Sequence, residues 1–144
     1  MHTGHVGLNV PDLQRALPFY TGVFGLRVLR ESDAPRFAFL GGDDGIVVTL
    51  WEQSEGAFDP DRPGLHHLAF QVGAIEEVEA AQERVRELGG SVQHGGIVPH
   101  ADGARSGGLF FTDADGIRLE IYAGDGAHEH GPAPAGAAPT CGFF

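Results

Sequence analysis

Cysteine is almost absent: Cys141 stands alone among 144 residues. An internal disulfide is therefore impossible, and the fold does not rely on oxidation. No apolar run is long enough to span a bilayer, and no signal-peptide pattern opens the chain. A soluble, cytoplasmic protein without a membrane partner is expected. Basic residues are scarce, nine Lys plus Arg against twenty Asp plus Glu, giving a net charge of -11. That balance argues against nucleic acid and against anionic membrane surfaces as partners. The acid is spread along the chain, as on a solvated face. What is plentiful is glycine, 23 residues, which implies many tight turns, and a hydrophobic fraction of 42% suffices for a core.

The chain is organised around Gly64 to Val72. Leu68, Phe70 and Val72 alternate with Ala69 and Gln71, the period of a strand with one apolar face. His67 is in step with Ala69 and Gln71, on the face away from packed helices. An imidazole there is suited to ligating a metal, although a lone histidine is more commonly a surface group. His5-Val6-Gly7-Leu8-Asn9-Val10 alternates in the same way, with His5, Gly7 and Asn9 opposite the apolar set. Asp12 is placed to cap a helix whose stripe is Leu13, Ala16, Leu17, Tyr20 and Phe24, ending at Gly25. Pro18 should kink or shorten it. Strands are expected at Arg27 to Arg30, Arg36 to Leu40 and Ile46 to Trp51. Val47, Thr49 and Trp51 share one face of the last. Residues 53–63 are polar and turn-rich, and read as a linker.

The second half repeats this order. A helical stripe of Ile75, Val78, Ala81, Val85 and Leu88 follows the strand and closes at Gly89-Gly90. A short strand at Ser91 to Gln93 and a glycine-rich loop with His100 and Arg105 come next. Strands at Leu109 to Thr112 and Ile117 to Tyr122 end the repeat. Arg118, Glu120 and Tyr122 face away from the apolar set. As strings, His5 aligns with His67, Asp44-Gly45 with Asp115-Gly116, and Thr49 with Glu120. Such duplication predicts an α+β fold of two tandem βαβββ modules, at 4–52 and 64–123, whose curved sheets enclose a cleft.

These residues resemble the vicinal oxygen chelate superfamily, which includes glyoxalase I, type I extradiol dioxygenases, fosfomycin-resistance transferases and bleomycin-binding proteins. The resemblance is carried by His5 to Asp12, Phe19-Tyr20 with Phe24-Gly25-Leu26, Gly64 to Phe70, and Asp113 to Glu120. It implies that His5, His67 and Glu120 hold one divalent metal ion, and strand parity independently puts all three on the cleft side. Thr49 stands where glyoxalase I carries a fourth ligand, a glutamate. Glu52 lies three residues further on, on the wrong strand face. Two imidazoles and a carboxylate favour Fe(II), with Mn(II), Zn(II), Ni(II) or Co(II) also compatible. The expected partner is a small substrate with two adjacent oxygens. The family also implies a homodimer, with modules paired within or between chains.

Type I extradiol dioxygenases carry a histidine, a tyrosine, Asp-Pro-x-Gly and the ligand glutamate. Here His100, Phe110, Asp113-Ala114-Asp115-Gly116 and Glu120 resemble that signature in part. Phe110 has no hydroxyl, Ala114 replaces the proline, and the spacing after His100 is one residue long. The leading reading is ring cleavage of a catechol-like substrate, with His100, Thr49 and Tyr122 as candidate catalytic residues beside the metal. A redox-neutral reaction with the metal as Lewis acid is the second. A binding protein whose pocket is lined by Phe37, Trp51, Phe110 and Tyr122 is the third. Residues 124–144, rich in Gly, Ala and Pro, are expected to be an extended, flexible tail. Its apolar end after Cys141 is suited to docking on a neighbouring surface or covering the cleft.

Overall fold

The alternation after His5 becomes strand β1, Val6–Val10. Asp12 caps helix α1, Leu13–Phe24, its carboxylate accepting from the Arg15 main-chain N–H at 3.2 Å. Glu52 takes a second unpaired N–H at this end, that of Leu13, at 2.8 Å. Gly25 closes the helix in the left-handed region, φ 66°, which a Cβ would disfavour. Strands β2 (Arg27–Asp33), β3 (Arg36–Gly42) and β4 (Gly45–Glu52) complete the first module, in the sheet order β1-β4-β3-β2. Leu8, Val10, Ala38, Leu40, Val48 and Leu50 are buried with Leu13, Ala16, Phe19, Tyr20 and Val23 of α1 as the core of this module.

The second module has β5 (Leu68–Val72), α2 (Ile75–Glu87), β6 (Ser91–Val92), β7 (Val98–Pro99), β8 (Gly107–Thr112) and β9 (Arg118–Ala123). Its sheet runs β5-β9-β8-β6, and β7 also pairs with β8. Glu77 folds back to accept from the Gly73 and Ala74 N–H groups, at 3.0 and 3.1 Å, and so starts α2 without a side-chain cap. Val78, Ala81 and Val85 are buried, as are Leu109, Leu119 and Ile121.

This computed structural model describes residues 2–136 and 139–144. The chain divides into two compact units, Met1–Phe58 and Asp59–Phe144. Among the described residues, no helix is long and apolar enough to cross a membrane.

The α+β class and the two βαβββ modules stand as expected, and four local expectations change. α1 runs unbroken through Pro18. That residue sits on the exposed face, and its missing donor leaves only the exposed Gln14 carbonyl to be met by water. In the α1 stripe, Phe19 and Val23 are buried where Leu17 and Phe24 were expected. Leu88 lies past the end of α2 and is 36% exposed. The described residues of the tail, 124–136 and 139–144, are not simply extended. Ala127–Glu129 and Thr140–Phe143 form 3-10 turns, and Ala127 and Thr140 are buried. A periodic stripe is unnecessary for this, because main-chain hydrogen bonds do the anchoring. The Ala127 N–H donates to the Arg105 carbonyl at 3.1 Å, and the Thr140 N–H to the His100 carbonyl at 3.0 Å.

Candidate metal centre

In the first module β1 and β4 are parallel neighbours, and Gly7 lies opposite Thr49. His5 precedes Gly7 by two residues and is exposed. Thr49 is 3% exposed, and its hydroxyl accepts from the Trp51 indole N–H at 3.1 Å. A Cβ on Gly7 would come within 3.3 Å of that hydroxyl, so glycine leaves the threonine its space. Phe37 stacks at 4.9 Å from both Phe39 and Trp51, with the Arg30 guanidinium over the two phenyl rings. Glu52 is elsewhere: it holds the Leu13 N–H and, at 2.8 Å, the Arg36 guanidinium. The strand-face argument against it as a ligand therefore has a visible basis.

The second module repeats this register. β5 and β9 are parallel neighbours, Ala69 lies opposite Glu120, and His67 precedes Ala69 by two. The offset from His67 to Glu120 is thus the offset from His5 to Thr49. Glu120 is only 3% exposed. Its Oε1 meets His100 Nε2 at 2.7 Å, and its Oε2 faces His67 Nε2 at 3.4 Å. A carboxylate only accepts, so His100 must carry its proton on Nε2. In the neutral ring Nδ1 then accepts from the Ser106 hydroxyl at 3.1 Å. His100 is held at both ends, and its main-chain N–H also donates to the Ser106 carbonyl at 3.0 Å.

His67 lacks such a fixed arrangement on its inner nitrogen. Its Nδ1 lies 2.8 Å from Nδ1 of His66, so one of these atoms must donate to the other. Burial pushes the His67 imidazole below its ordinary pKa; Glu120 opposes that shift, and His66 and Arg118 add to it. A neutral ring with its proton on Nδ1 points a bare nitrogen lone pair at a carboxylate oxygen. Two acceptors facing each other 3.4 Å apart call for a cation between them. In the other neutral tautomer His66 donates to His67 Nδ1, and a proton on His67 Nε2 closes the gap to Glu120. A divalent ion suits the donor chemistry of the first tautomer. Among the described residues, no three His, Cys, Asp or Glu side chains already surround one point as a metal cage. The second module supplies a pair and a supporting imidazole rather than a full set.

His100 therefore joins Glu120, as the sequence reading allowed. Tyr122 lies on the same face, its ring 5.2 Å from that of His100 and its hydroxyl donating weakly to Gln71 at 3.4 Å. Phe110 is opposite Glu120 on β8, fully buried, and brings no hydroxyl. Ala69, His100, Glu120, Tyr122, Pro139 and Cys141 line a cavity of about 370 Å³. Arg105 turns away to Asp125. His128 and His130 are exposed and go to different acids, Asp125 and Glu129 for the first and Glu79 for the second. Sequence reasoning missed Ser106 and gave His66 no role at the site, and it named the apolar end that includes Phe144 only as suited to docking on a surface or covering the cleft. Only the doublet His66-His67 carried a local signal.

Comparison with known proteins follows the same lines. The Glyoxalase/Bleomycin resistance protein/Dioxygenase superfamily profile matches residues 2–121. The chain is 34% identical over 125 residues to a catechol-2,3-dioxygenase of Bacillus subtilis (strain 168), covering 85% of this chain and 41% of that protein. It is 31% identical over 129 residues to a lactoylglutathione lyase of Salmonella typhimurium, covering 81% of this chain and 88% of the lyase. A crystal structure of a glyoxylase/bleomycin resistance protein/dioxygenase domain from Frankia sp. EAN1pec matches with a TM-score of 0.68 at 28% identity, covering 91% of this chain and 98% of that one. The chain thus spans less than half the length of the dioxygenase and most of the length of the lyase.

Proposed function

Because the chain belongs to the glyoxalase/bleomycin resistance protein/dioxygenase superfamily, we propose that it is a metal-dependent enzyme that cleaves the ring of a catechol-like substrate. His67 and Glu120, with His5 of a first module, would hold the ion, and two imidazoles with one carboxylate favour Fe(II). Such an ion, when bound, supplies a seat for two adjacent substrate oxygens and the redox partner that cleavage by dioxygen requires. The observation that carries this reading is the buried Glu120 carboxylate, with the His67 Nε2 atom at one oxygen and His100 at the other.

The chain's own groups have separable tasks. Glu120 supplies the negative charge. His100 donates to the far oxygen of Glu120 and so fixes which oxygen is free to ligate. The proton that His100 Nε2 holds against Glu120 would also serve a substrate oxygen, with the Ser106 hydroxyl at Nδ1 behind it. Phe110 cannot share that work. Tyr122, alongside His100, offers a hydroxyl bound only at 3.4 Å. The Thr49 hydroxyl is engaged by Trp51 and acts as a polar wall.

His100→Ala should weaken metal affinity by about 10- to 100-fold while leaving the ligands in place. Titration against a competing chelator reads this directly, and an unchanged affinity would show that His100 does not orient Glu120. For the reaction, protein loaded with Fe(II) is expected to consume oxygen with catechols and to yield the yellow ring-opened product. Metal loading without oxygen uptake on any catechol would overturn ring cleavage.

A second reading, a redox-neutral reaction with the ion as Lewis acid, is supported by the near full-length match to the lactoylglutathione lyase. Thr49 in place of a fourth carboxylate weighs against the lyase's own reaction. Turnover of a chelating substrate under strict anaerobiosis would favour this second reading.

A further inference from the structure

The tail segment 139–144 lies on the same residues. Thr140 is 1% exposed, and its hydroxyl donates to the Pro99 carbonyl at 2.6 Å. Its N–H donates to the carbonyl of His100 itself, at 3.0 Å. Pro139 and Cys141 then form a wall of the cavity at Glu120, His100 and Tyr122. Beyond them the Phe144 ring lies 5.5 Å from the His67 ring at an interplanar angle of 30°, close to stacked. It meets Phe110 edge-on at 5.5 Å and His66 at 6.3 Å. The Arg118 guanidinium sits 5.6 Å from the ring centre and donates to the Phe144 main-chain oxygen at 3.2 Å.

This is a seat with defined chemistry. An imidazole face and a phenyl edge enclose one flat ring, and a fixed guanidinium takes an oxygen next to it. The seat directly adjoins Glu120, because Arg118 and Glu120 share one face of β9. We infer that segment 139–144 is an internal ligand of this site, and that Phe144 holds the place of a planar aromatic ring bearing a carboxylate. The inference rests on the functional reading above for the site's identity. Substrate enters by displacing Phe144, and Arg118 exchanges the Phe144 main-chain oxygen for the substrate carboxylate. Thr140 remains as the anchor about which the segment swings.

Benzoate is the probe, titrated calorimetrically into metal-loaded and into chelator-treated protein. If Phe144 fills the seat roughly nine-tenths of the time, Phe144→Gly should tighten apparent benzoate affinity about tenfold. Adding Arg118→Gln should remove that gain. Cys141, the only thiol, reports the segment's position without any substitution. Saturating benzoate should speed its labelling by a maleimide in the unmodified protein. An unchanged affinity in Phe144→Gly, or a labelling rate that benzoate leaves alone or slows, would overturn the proposal. A gain that survives Arg118→Gln would overturn the carboxylate assignment. The chelator-treated arm needs no metal, so its failure is distinct from failure of the metal reading, which metal content alone decides.

Discussion

Glu120→Ala is expected to leave the protein folded and without its divalent ion. Glu120 is the sole carboxylate among the proposed ligands. Without it, two neutral imidazoles would have to hold a dication alone. Loss of a supporting residue around a metal costs about 10- to 100-fold in affinity, so loss of the anionic ligand should exceed the upper end of that range. Folding should be affected much less. The substitution removes a carboxylate that is 3% exposed and leaves the His100 Nε2–H in need of water, two effects of opposite sign. Glu120→Gln separates charge from shape: it can keep the bond to His100 and still lose the ion. Metal content after purification without chelators, alongside circular dichroism, distinguishes these outcomes. Retention of stoichiometric metal by the folded Glu120→Ala protein would remove the basis of the proposed site.

The register explains why this residue was legible. A period of two fixes the face of every strand side chain, and a duplicated chain provides the same test twice. Gly7 opposite Thr49 and Ala69 opposite Glu120 confirm the string alignment at residue resolution. Asp12 and Gly25 bounded α1 for equally local reasons. His100 was less legible because its place depends on β7, two residues that pair with β8 across a loop. Nothing periodic marks so short a pairing. The landing of Thr140 and Phe144 was legible only as an apolar end in search of a surface. Thr140 lands on the carbonyls of Pro99 and His100, main-chain acceptors that every residue possesses.

That dependence on β7 gives the second large effect. β8 begins Gly107-Gly108, squeezed between β7 and β9. A Cβ on Gly108 would lie 2.1 Å from the Ile121 carbonyl oxygen and 2.6 Å from the Tyr122 Cα. These are backbone atoms, so no side-chain rotation can relieve the clash. Gly107 is as confined, with the Val98 carbonyl oxygen at 2.3 Å from such a Cβ. Gly108→Val should therefore destabilise the protein by about 3 kcal/mol, at the upper end of overpacking costs. A urea midpoint measures this, with the slope as a check that the transition stays two-state. The consequence should reach the site as well, because forcing β8 from β9 moves β7, which pairs with β8, and the adjoining His100 away from Glu120. Metal affinity in the folded fraction should then fall toward that of His100→Ala. Gly124→Ala is the control: its nearest neighbour, Gln71 Nε2, is 3.9 Å from the added carbon, and its midpoint should stay within about 0.5 kcal/mol of the parent. Equal midpoints for Gly108→Val and Gly124→Ala would mean that the glycine pair is not what seats β7, and with it His100, over the carboxylate.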